Sequence, residues 1–167
     1  TPGSVVCCTL EGSRAMLFET QALVSSTTFA VPQRVAAGID PKRLTIILAL
    51  LEKFGGVIVG ASDVFVSIAG GLKGSDTSSD LALALAIASN HLSIPLGRQS
   101  IVVGELGLSG EVRSGGLLET RLKEARRLGM TEAVVPAAGR LPENTSGMKI
   151  VQVRTLSEAV NWLMSKK

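Results

Sequence analysis

Apolar positions along the chain follow two periods, and these divide it into strands and helices. Residues 4–10 and 15–25 are rich in Val, Cys, Leu and Thr and flank Glu11-Gly12-Ser13-Arg14, which predicts a hairpin. Residues 27–39, carrying Pro32 and Gly38, read as an irregular or extended loop. Leu44, Ile47, Leu48, Leu51 and Phe54 then recur at helical spacing. Asp40-Pro41 supplies an N-cap and a first-turn proline, and Gly55-Gly56 supplies the stop. Residues 63–69 alternate and are β-branched, which predicts a strand, and residues 70–74 predict a glycine loop.

Thr77, with Asp80 three residues later, predicts a capping-box variant at the start of the next helix. Residues 81–89 are apolar on every face, so that helix is expected to be buried all round. Strands are expected at 100–104 and 106–112. A helix should follow Gly115-Gly116, run to Leu128 and end at Gly129. Residues 133–136 and 148–153 read as short strands, and Thr155 with Glu158 caps a last helix ending near Met164. The order of strands and helices gives an α/β (or α+β) fold. At 167 residues the chain reads as one domain, 1–167, in which residues 1–3 form a linker or boundary.

Composition narrows the chemistry. With 46% apolar and 19% charged residues the chain is expected to fold rather than remain disordered. Four Phe, one Trp and no Tyr leave few aromatic platforms, which argues against base stacking on single strands. The net charge of +3 is compatible with a polyanionic partner. Cys7 and Cys8 are neighbours in a predicted strand and point to opposite faces, so no disulfide framework is expected and a reducing compartment is the default. No apolar run is long enough for a bilayer, so no membrane partner is expected.

No G-x-x-x-x-G-K-[ST] pattern occurs, so ATP hydrolysis is not expected of this chain alone. The one histidine, His91, sits at a helix C-terminus, and the cysteines have no second pair, so no metal site is expected. Arg34, Lys42 and Arg43 cluster near a helix N-terminus, which suits an anion; the other reading is that they extend into water. On the helix after Gly116, Leu118, Leu122 and Ala125 share one face, leaving Arg121, Lys123, Arg126 and Arg127 for the remaining surface. Glu119 and Lys123 are spaced for an ion pair. Ser78 opens the buried helix. It reads either as a nucleophile, which needs a base nearby, or as part of a local cap formed by Thr77, Ser78 and Ser79; local capping is preferred.

Several separated segments then carry a family resemblance. They are residues 16–24, Arg34-Val35-Ala36-Ala37-Gly38-Ile39-Asp40, Arg43-Leu44, Asp63-Val64-Phe65-Val66, Gly70-Gly71, Ser79-Asp80-Leu81-Ala82, residues 104–113 and Arg121-Leu122-Lys123-Glu124-Ala125. In order and spacing they resemble the C-terminal, Lon-protease-like domain of RadA (Sms) DNA-repair proteins, from about Met16 to the last helix. The resemblance implies a fold like ribosomal protein S5 domain 2, with mixed sheets and packed helices.

In Lon proteases this scaffold bears a Ser-Lys dyad. Ser78 falls at the serine, while counting from either side puts Leu118 or Glu119 at the lysine, so the dyad is expected to be incomplete and the domain not to be a peptidase. The resemblance further implies DNA binding, single-stranded or branched, and a hexameric ring. It implies a RecA-type recombinase as partner and a bacterial-cytoplasmic or organellar setting. It places ATP, Mg and Zn in N-terminal parts that this chain lacks, with no cofactor in the domain itself. The expected DNA contacts are Arg34, Lys42 and Arg43, then Lys73, Arg121, Lys123 and Arg127; Gln33 departs from a basic residue frequent in the family. A Lon-type serine peptidase, with Lys73 as an imported base, and a purely structural assembly domain are the alternatives.

Overall fold

A computed structural model describes residues 1–28, 30–69 and 77–167. The strands are β1 (Ser4–Glu11), β2 (Arg14–Ser26), β3 (Arg34–Ala37), β4 (Ser62–Ile68), β5 (Ser100–Val102), β6 (Glu105–Leu106), β7 (Val112–Arg113), β8 (Glu132–Pro136) and β9 (Lys149–Val153). The helices are α1 (Pro41–Phe54), α2 (Asp80–Leu92), α3 (Leu118–Arg127) and α4 (Leu156–Met164). Seven strands form one mixed sheet in the order β3-β4-β2-β1-β5-β8-β9, and β6 pairs with β7 in a separate small sheet. The β1–β2 hairpin and the β2–β4 pair are antiparallel; β3–β4, β1–β5, β5–β8 and β8–β9 are parallel.

The pleat sends alternate residues to opposite faces, and a separate core forms on each. Cys7 lies in the larger core with residues of α1, α2 and α4, whereas Cys8 lies in the smaller one with Leu118, Leu122 and Ala125 of α3. Both cysteines are fully buried and neither is in a disulfide, and the Cys8 thiol faces the Arg121 carbonyl at 3.6 Å. Every residue from 81 to 89 in α2 is buried, as its uniformly apolar sequence requires. The α3 side is less complete: its core includes no residue of β3 or β4. On that uncovered part Leu23, Phe65 and Val35 stand in register across β2, β4 and β3, with Leu23 and Val35 about half exposed.

Three expectations are corrected. The span read as an irregular loop contains β3, a four-residue edge strand that exists through its pairing with β4. Residues 106–112 are not one strand, because Gly107 N–H donates to the Glu111 carbonyl and closes a turn between β6 and β7. The cap at α2 is not the Thr77–Asp80 box: Ser79 holds the N-cap position without a side-chain bond, and Asp80 points elsewhere. Caps at α1 and α4 form as expected, through Asp40 to Lys42 N–H and Thr155 to Glu158 N–H. The glycine loop 70–74 lies outside the described residues.

Gly110 joins the β6–β7 turn to the rest of the fold. Its φ is +79°, its carbonyl accepts from Leu156 N–H, and an added Cβ would stand 2.8 Å from Phe54 Cγ. A Gly110→Ala substitution therefore combines backbone strain with overpacking. It is expected to destabilise the fold by about 1–3 kcal/mol, read as an earlier urea midpoint at unchanged m-value.

Candidate functional site

The start of α2 is where chemistry-bearing side chains converge. Residues 78–81 are pinned against Gly104: Gly104 N–H donates to the Ser78 carbonyl at 2.9 Å, and Leu81 N–H donates to the Gly104 carbonyl at 3.0 Å. A Cβ on residue 104 would lie 2.8 Å from Val112 Cγ1 and 3.2 Å from Leu81 Cδ2, so the close approach needs glycine. This approach brings two charged side chains to the helix start, Arg43 from one side and Arg121 from the other.

Arg43 donates from Nε to Asp80 Oδ1 at 2.8 Å, and its Nη2 bonds Oδ2. Leu106 N–H also donates to Asp80 Oδ2, at 3.0 Å. Asp80 is 2% exposed. A carboxylate at a helix N-terminus is itself favoured by the dipole. Arg43 is in the first turn of its own helix, where a cation is disfavoured, and the buried carboxylate explains why it sits there.

Arg121 is 1% exposed. Its Nη1 donates to Ser78 Oγ at 2.5 Å and to the Cys8 carbonyl at 2.9 Å, and its Nε donates to the Gly116 carbonyl at 3.0 Å. Ser78 itself is fully buried. The side chain thus ties β1, the turn before α3 and the start of α2 together. That turn ends in Leu117, a non-glycine residue at φ +52°, which aims the helix so that Arg121 faces inward.

This geometry corrects several site expectations. Arg121 is not on the outer surface, so it is not placed to contact DNA. The N-cap position of α2 belongs to Ser79, and Ser78 Oγ receives a guanidinium N–H. Neither position counted for the dyad lysine faces Ser78: Leu118 is buried under the sheet, and Glu119 lies outside, paired with Lys123 at 3.2 Å and Arg140 at 3.9 Å. The residue that meets Ser78 comes two to three positions later. The sequence held a usable signal, because Arg121 is at i+3 from Leu118 and i−4 from Ala125, inside the apolar stripe.

The Arg34, Lys42 and Arg43 group is also not one surface patch. The Arg34 guanidinium bonds the Ser62 carbonyl, and those of Gln33 and Val59 at 3.2 Å and Gly60 at 3.4 Å, fastening the turn before β4. Arg43 is held by Asp80, and Lys42 is exposed. Lys123 and Arg127 are exposed, on the outer face of α3, with Arg127 bonded to Glu124 at 2.6 Å and 3.1 Å. Arg127 pulls the Glu124 carboxyl below its usual range, and its own affinity for the proton is raised in return. Lys73 lies outside the described residues. His91 is exposed in the last turn of α2. Among the described residues no group of three or more His, Cys, Asp or Glu is placed to hold a metal ion.

Replacing Arg121 by Met keeps much of its volume but leaves the Ser78, Cys8 and Gly116 oxygens without this donor. The expected loss is about 3 kcal/mol or more in urea unfolding. Arg43→Ala strands the buried Asp80 carboxylate and is expected to cost about 3–5 kcal/mol.

A family model described as subunit ChlI of Mg-chelatase matches residues 40–139. The chain is also similar to the "DNA repair protein RadA" of Pseudomonas aeruginosa, 44% identical over 97% of this chain, and of Escherichia coli, 43% identical over 96%. The RadA protein of Bacillus subtilis is 37% identical over 95%. These matches cover 36%, 35% and 35% of the relatives, so the chain spans about a third of their length. No helix of the described residues is long and apolar enough to cross a membrane. The chain belongs to the family described as subunit ChlI of Mg-chelatase and corresponds to a segment of the RadA DNA-repair proteins.

Proposed function

We propose that this segment is a DNA-binding and assembly module of a RadA-type repair ATPase, built on a Lon-protease-like scaffold that does not cleave peptides. One observation carries the reading: among the described residues, the charged group that bonds Ser78 Oγ is the Arg121 guanidinium. A guanidinium has donors only and keeps its proton at any pH at which the protein folds, so it is no acceptor for a serine proton. A lysine amine in that place would be one. The serine hydroxyl is therefore used as a structural acceptor, and the scaffold is left for binding.

The repair proteins that share nearly the whole chain support DNA as the partner. Among the described residues Lys42, Lys123 and Arg127 are the exposed members of the expected contact set, and Lys73 stays in that set as an expected contact; Arg34 and Arg43 act by holding the fold. The uncovered row of Leu23, Phe65 and Val35 supports a packing partner, either the rest of a longer chain or another subunit of a ring. In a protein of the relatives' length, the remaining two thirds would hold the ATPase with its ATP and Mg, and a zinc finger. The whole would act as a hexamer on branched recombination intermediates, beside a RecA-type recombinase, in a bacterial cytoplasm or an organelle.

Two measurements check this. A serine-reactive probe should label the chain and its Ser78→Ala variant equally; selective labelling at Ser78 would overturn the non-peptidase reading. Binding to duplex, single-stranded and branched DNA should weaken steeply with salt and show little sequence preference. Absence of binding at low salt would remove DNA as the partner.

A further inference from the structure

The outer face of α3 belongs to a larger surface built from three elements. Lys123, Arg126 and Arg127 project from the helix. Arg14 comes from the first residue of β2, and Arg140 from the loop after β8. Two carboxylates stitch these cations together. Glu119 lies between Lys123, at 3.2 Å, and Arg140, at 3.9 Å. Glu124 accepts from Arg127; β2, which opens with Arg14, packs against α3, and Arg14 lowers the Glu124 carboxyl further through space. Arg126 donates to the Asn144 carbonyl at 3.3 Å, and Glu11 and Glu143 border the surface in sequence.

The sequence has seventeen basic and fourteen acidic residues. Five of the basic ones and two of the acidic ones form this surface, with Glu11 and Glu143 at its border. Lys123, Arg127 and Arg140 are 66%, 68% and 88% exposed.

We propose that this surface, Arg14, Lys123, Arg126, Arg127 and Arg140, is where the segment grips the sugar-phosphate backbone of DNA. The proposal rests on the reading of the segment as a DNA binder and adds the site, including three arginines outside the contact set expected from sequence. Four of the five cations are arginine, whose planar fork matches two phosphate oxygens at once. None of the residues named is aromatic, so the contacts position the backbone and do not read bases. Glu119 and Glu124 occupy some of these donors in the free protein, so bound phosphates compete with them. That competition fixes the sign of an otherwise unexpected effect: neutralising the two glutamates tightens binding.

The test is a salt titration of the 167-residue chain on labelled duplex DNA, with each variant's fold checked by its unfolding midpoint. Arg14→Ala/Arg126→Ala/Arg140→Ala is expected to weaken binding at least tenfold at low salt. It should also lower the slope of log K against log salt by about 2–3, at roughly 0.9 per lost phosphate contact. A charge-matched variant at the ends of α1 and α4, on the other sheet face, Lys53→Ala/Lys166→Ala/Lys167→Ala, is expected to change the slope by less than half as much. Glu119→Gln/Glu124→Gln is expected to tighten binding several-fold and steepen the slope. If the parent chain binds but the arginine variant matches the charge-matched one, or the glutamine variant binds no tighter, this site is wrong and the DNA-binding reading stands. If the parent chain does not bind at low salt, both fall.

Discussion

A guanidinium sealed inside the protein is the constraint on which the rest of the site depends. Arg121 is taken out of water at a cost that only several well-placed acceptors offset. Among the described residues those acceptors come from β1, the turn before α3 and the start of α2. None of the three is near the others in sequence. Once the side chain is in place, each fixes the position of the other two. The hydroxyl of Ser78 becomes part of a buried polar network, where an unpaired oxygen is expensive.

The second charged pair follows from the same packing. Because α2 is apolar on every side, its polar beginning must be satisfied by neighbours rather than solvent. Arg43 reaches across from α1, and Leu106 N–H reaches from β6, so that the Asp80 carboxylate is bonded on both oxygens. Gly104 makes room for this approach by having no side chain. The start of α2 is thus held by a carbonyl and an amide of Gly104, by Arg43 and by Arg121. Such a frame fixes the helix start from segments that are distant in sequence.

Function in this reading moves from the buried cluster to the outside. Arg43 and Arg121 at the start of α2 are occupied internally, whereas Arg126, Arg127 and Arg140 face solvent. The row of Leu23, Phe65 and Val35, half-exposed at Leu23 and Val35, lies on the same face of the sheet as α3, beyond the area that α3 covers. A basic surface and an unpaired apolar strip on one side of the sheet would let a nucleic acid and a protein neighbour bind without competing for the same residues.

Much of the architecture was legible from period and punctuation. The hairpin around Gly12, the caps at Asp40 and Thr155, the all-buried α2 and the opposed faces of Cys7 and Cys8 follow from local rules, since each depends on residues a few positions apart. The family resemblance was legible because it rests on motifs in order. Tertiary structure decided what local rules do not encode. The edge strand β3 exists through β4, Asp80 abandons its capping box for a partner thirty-seven residues away, and Arg121 lies forty-three residues from Ser78 in sequence. A charged residue inside an apolar stripe is read as surface by composition, yet it turns inward when carbonyls and a hydroxyl from other segments meet it there. Spacing settles which face a residue is on; only the packed neighbours settle whether that face offers its charge a partner or water.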